Sequence, residues 1–123
     1  MRTVLLAAIT LMCGLMTAPA VRAEGPAVYD LVGTNPGGSG GYKGTVTLEV
    51  KGQTAIITWT MSNGDQTIGT GIVNGDTMAA AYPTDGGYGV CLYTRDPATE
   101  TVTGNWTASG SSALGTERWT LRR

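Results

Sequence analysis

Residues 42–61 read YKGTVTLEVKGQTAIITWTM, and this stretch decides the fold. Val46, Leu48 and Val50 fall on one face of an extended chain, with Thr45, Thr47 and Glu49 on the other. Lys51-Gly52 makes a tight connection, after which Ala55, Ile57, Trp59 and Met61 alternate against Thr54, Thr58 and Thr60. Period-2 spacing of β-branched and aromatic residues marks a half-buried strand. Wound into a helix, the same apolar side chains would scatter around the axis. Two such segments joined by a tight turn form an antiparallel hairpin.

The same rhythm continues in both directions. Asn63-Gly64-Asp65 turns the chain into Thr67–Val73, and Asn74-Gly75-Asp76 turns it into Thr77–Tyr82. Asn-Gly pairs supply the positive φ that hairpin turns demand. Tyr88–Thr94, Thr101–Thr107 and Thr116–Leu121 complete the series, and Val28–Gly33 precedes it as a first, weaker strand. No segment shows sustained helical periodicity. The expected fold is all-β: an antiparallel meander of about eight strands, closed or nearly closed into a small, calycin-like barrel.

A barrel of that size is just wide enough to fill with side chains or to hold one small ligand. The inward set expected from alternation includes Val46, Leu48, Val50, Ile57, Trp59 and Met61. On the later strands it adds Ile68, Ile72, Met78, Tyr82, Tyr88, Val90 and Leu92, then Val102, Trp106, Trp119 and Leu121. These large residues suffice to pack the interior. The alternative is a small pocket near one mouth, walled by tryptophan and tyrosine.

Residues 1–23 read as a cleaved secretory signal peptide. Arg2 supplies a positive start, Val4–Met16 an apolar stretch, and Val21-Arg22-Ala23 small residues at a peptidase site. The apolar run is too short for a comfortable membrane span, so none is expected. Cys13 lacks the small preceding residue of a lipid-attachment site. Residues 24–123 then form a single β-barrel-like domain, exported to the periplasm or secreted from a bacterial cell.

Loss of Arg2 and Arg22 lowers Lys+Arg from 8 to 6 against nine Asp and Glu, a net charge of −3. The cations are scattered, apart from Arg122-Arg123, so nucleic acid is not an expected partner. There is no histidine, which removes the commonest general base and metal ligand. Neither a cofactor nor a metal site is expected. Cys91 is left without a partner in its own chain, so the core must stabilise the domain without a disulfide.

Six residues stand out as candidate ligand contacts: Trp59, Tyr82, Tyr88, Trp106, Trp119 and Glu117. Aromatic residues on the strands of a small barrel either pack the core or wall a pocket. Glu117 shares strand parity with Trp119 and Leu121, which turns a carboxylate inward, while Arg118 points out. Such a group needs hydrogen bonds from backbone N–H groups, Thr116 or a tyrosine hydroxyl near the seam between the last and first strands. Asp30, in phase with Val28 and Val32, is expected to point inward as well, which would make Glu117 and Asp30 an acid–base pair for a hydrolase. Cys91, between Val90 and Leu92, is expected on the opposite face to both, as a semi-buried, inert thiol with no histidine to ionise it.

Gly33-Thr34-Asn35-Pro36, Tyr42-x-Gly44, Trp59, Gly69-Thr70-Gly71-Ile72, Gly89-Val90-x-Leu92-Tyr93, Gly104-x-Trp106 and Gly115-Thr116-Glu117 together resemble a group of small exported bacterial proteins. Those proteins commonly carry the label fibronectin-binding protein. The resemblance spans Tyr29 to Trp119 and implies a non-catalytic binding protein that recognises an extracellular matrix protein such as fibronectin, through an exposed edge or loop rim. The aromatic interior motivates a different expectation, a carrier of a small apolar ligand. The Glu117–Asp30 hydrolase is the third.

Overall fold

A computed structural model describes residues 25–123; the signal-peptide reading of residues 1–23 lies outside them. Eight antiparallel strands follow in chain order: β1 (Ala27–Thr34), β2 (Gly41–Lys51), β3 (Thr54–Met61), β4 (Gln66–Asn74), β5 (Thr77–Thr84), β6 (Gly87–Asp96), β7 (Thr101–Ala108) and β8 (Gly115–Leu121). Each pairs with its neighbour, and β8 returns to β1 to close the barrel. A short 3-10 turn, Pro36–Gly38, lies in the β1–β2 connection. The meander and its turns are those the alternation predicts.

Turn chemistry explains the tight hairpins. Lys51 pairs with Thr54, and Asn74 with Thr77, so each connection holds only two residues. Gly52 and Gly75 occupy the first of these places with φ of 62° and 63°, where a side chain would be strained. The closing seam is equally regular. Leu31 faces Trp119, and Gly33 faces Glu117 across β1 and β8.

Val46, Ile57 and Trp119 are 0% exposed, and Leu31 and Tyr93 nearly so; together they plug the middle of the barrel. The Tyr93 and Trp119 rings lie 4.4 Å apart, centre to centre. The interior is packed at its waist and opens toward both ends.

Three strands carry the opposite parity to that expected. On β4, Ile68 and Ile72 point outward; on β6, Tyr88, Val90 and Leu92 do. Cys91 and Tyr93 take the inward places on β6. On β1, Tyr29 and Leu31 are buried while Val32 and Asp30 face solvent. The cause is common to β4 and β6. Their outer faces are apolar, and inward places go to Gly69, Gly71 and Gly89, so polarity does not mark the solvent side. A ring from an adjacent strand fills each gap: Trp59 lies over Gly69, and Tyr82 over Gly89. Val50 keeps the expected inward side of β2, and its exposure comes from lying at the open end of the barrel, where it lines the opposite mouth with Leu48.

Candidate ligand-binding site

The mouth where β1, β3, β5 and β7 end and β2, β4, β6 and β8 begin contains a cavity of about 350 Å³. Tyr42, Trp59, Tyr82 and Trp106 form most of its wall, with Met61 and Asn35 beside them and Glu117 at its base. The rings follow one another closely. Centroids are 6.2 Å apart for Tyr42 and Trp106, 6.4 Å for Trp106 and Tyr82, and 5.5 Å for Tyr82 and Trp59.

Glycines make room for these rings. Tyr42 faces Gly33 across β1–β2, Tyr82 faces Gly89 across β5–β6, and Trp106 faces Gly115 across β7–β8. In each pair a Cβ on the glycine would overlap the ring. The aromatic side chains therefore lie back over neighbouring backbone instead of projecting straight across the barrel. That geometry lines the mouth and leaves a cavity between the rings.

Glu117 is 8% exposed and is the buried charged residue among those described. Oε1 accepts from the Tyr93 hydroxyl at 2.8 Å, Trp119 Nε1 at 2.9 Å and Trp59 Nε1 at 3.3 Å. Oε2 accepts from the Tyr42 hydroxyl at 2.6 Å. All four donors are neutral side chains. Backbone N–H groups contribute none, because inside a closed barrel the sheet ladder uses them. Bonds to a charged acceptor contribute about 1.5–3 kcal/mol each, enough to hold a carboxylate away from water.

The neighbours respond to burial and to that negative charge. Burial raises the Tyr93 and Tyr42 hydroxyls well above the ordinary tyrosine range, and Glu117 raises them further. Tyr82 is pushed up to about 12, by burial first and then by the Cys91 thiolate and Glu117. Burial pushes the Cys91 thiol to about 11; Tyr93 opposes the shift and Glu117 adds to it. At neutral pH all four stay protonated. The Trp106 indole N–H is buried with no acceptor. It lies beside the Tyr42 hydroxyl, whose ionised form it would favour, without reaching hydrogen-bonding geometry.

Of the six residues singled out in the sequence, Trp59, Tyr82, Trp106 and Glu117 meet at this mouth. Trp119 stands behind Glu117 and lines a second cavity, of about 370 Å³, at the opposite mouth. Tyr88 is corrected: it lies on the outer surface, 62% exposed, away from both. Asp30 is corrected as well. It points outward and pairs with Arg122 at 2.5 Å, so it cannot share a proton-transfer site with Glu117. Tyr42 was missed, although counting back by twos from Val46 reaches it. Cys91, expected outside, lines the cavity.

No family model matches this chain, and no curated protein matches it in sequence.

Proposed function

We propose that this is an exported, non-catalytic binding protein that holds a small, largely apolar molecule in the Glu117 mouth. The observation that carries the reading is the open cavity of about 350 Å³ walled by four aromatic rings and closed below by one hydrogen-bonded carboxylate. Ligand sites combine apolar walls with a few placed polar groups, and this one has that composition at the small end of the usual size range. A catalytic role lacks support. The titratable neighbours of Glu117 are all pushed toward their protonated forms, and no group with a complementary pKa faces it across the cavity.

Native mass spectrometry of protein purified from its own host tests this. A bound small molecule is expected, and it should be lost in Thr67→Trp, which fills the cavity wall. Protein that is always ligand-free and rejects small molecules would contradict the reading.

Binding to a matrix protein such as fibronectin is the second reading. A closed barrel offers no unpaired edge for strand addition. Its support is instead the outer face of β4–β6. There Ile68, Ile72, Tyr88 and Leu92 are each more than half exposed, and the three strands carry no charged residue before Arg95, Asp76 and Asp85 lying in the turns between them. Exposed apolar patches of this kind mark protein-binding surfaces. Fibronectin capture abolished by Ile72→Lys would favour this reading; capture unaffected by it would not.

A further inference from the structure

We infer that the ligand of the Glu117 mouth is an organic ammonium ion, its head seated between Glu117 Oε2 and the rings of Tyr42, Trp59, Tyr82 and Trp106. This rests on the small-ligand reading above and names the chemistry of that ligand.

Charge is the first reason. Glu117 is the charged residue of the cavity lining, where no Lys or Arg appears. The ion pairs among the described residues all lie on the outer surface, and none includes Glu117. Buried charges are normally paired. Here four neutral donors hold the carboxylate, and its countercharge is left for something that enters from outside.

The two oxygens are also unequal. Oε1 accepts three hydrogen bonds and Oε2 one. Each carboxylate oxygen offers about two lone-pair sites. Oε1 is crowded by its three donors, the Trp59 contact being long at 3.3 Å, whereas Oε2 has one donor and keeps a site that suits an ammonium N–H.

The walls complete the argument. A ring face carries negative potential, and a cation within about 6 Å of its centre is attracted to it. Rings following one another at 5.5–6.4 Å surround the space above Glu117 on several sides. A neutral apolar guest would gain burial from these walls and nothing from the carboxylate. An anion would be repelled.

The test compares butylammonium with 1-butanol, which share one carbon skeleton and differ in headgroup, by isothermal titration and by the tryptophan indole signals of the ¹⁵N spectrum. Butylammonium should bind about tenfold more tightly than the alcohol. Glu117→Gln, which keeps an acceptor for the indoles, should bring the two to near parity. Tyr82→Leu, at the half-buried rim, should weaken the ammonium several-fold more than the alcohol, since it keeps apolar surface but removes a ring face. Equal affinities in the native protein would overturn the cation assignment and leave a neutral-ligand site standing. No butylammonium binding up to its solubility limit would also overturn it. Failure of the small-ligand reading itself would appear separately, as ligand-free protein in the native mass spectrum.

Discussion

The ring of Tyr42 folds back over Gly33, its cross-strand partner, and this contact carries the Tyr42 hydroxyl to Glu117 Oε2. A methyl group at position 33 would occupy the space of the ring. Gly33→Ala should therefore destabilise the fold by about 1–3 kcal/mol, the usual cost of overpacking. In a domain of this size each kcal/mol lowers Tm by about 4–8 °C. In a Tyr42→Ala background the same substitution should cost almost nothing, a non-additivity that thermal melts of the double-mutant cycle will read.

Glu117→Ala removes the acceptor for two hydroxyls and two indoles. Each buried donor left without a partner costs about 1–3 kcal/mol, so Tm should fall by several degrees at least. Glu49→Ala is the control. Its side chain is 41% exposed and makes only a 3.8 Å surface pair with Lys51, worth at most about 1 kcal/mol. Similar small shifts for the two would show that the buried carboxylate does not support the core.

The parity of β4 has its own measurement. Ile57 is fully buried, whereas Ile72 is 67% exposed. Ile57→Ala should cost about 2–5 kcal/mol and Ile72→Ala less than about 0.5 kcal/mol, as read by urea denaturation midpoints.

Raised pKa values predict loss of stability in alkali. Cys91 rises from 9.0 to about 11 and Tyr82 from 10.0 to about 12, both mainly through burial. Between its unfolded and folded values, each group holds more protons in the folded state than in the unfolded one. Their contribution is full below pH 9 and declines as pH climbs from about 9 to 12. Melting temperature should be flat in this respect up to pH 9 and drop above it. At pH 8 the folded Cys91 thiol should react with Ellman's reagent far more slowly than in urea.

How far the sequence discloses this molecule depends on the strand. On β2, β3 and β8 polar residues mark the outer face, so Val46, Ile57, Glu117 and Trp119 can be placed inward by counting. On β4 and β6 both faces are apolar or glycine, and counting fails; the rings of Trp59 and Tyr82, borrowed from β3 and β5, settle which side is inside. Glycine positions in the family-like motif, Gly33, Gly69, Gly89, Gly104 and Gly115, prove to be the places under aromatic rings. Their meaning is tertiary, and no single strand contains it. The convergence of Tyr42, Trp59, Tyr93 and Trp119 on one carboxylate joins four strands, β2, β3, β6 and β8, and requires barrel closure to be seen.

The central claim, that a ligand occupies the Glu117 mouth, is tested most directly by intermolecular NOEs between bound butylammonium and the protein. Cross-peaks from the ligand methylenes to the ring protons of Trp59, Tyr82 and Trp106 are expected, since these line that mouth. Cross-peaks instead to Tyr29, Met78 and Val102, which line the opposite one, would contradict the account.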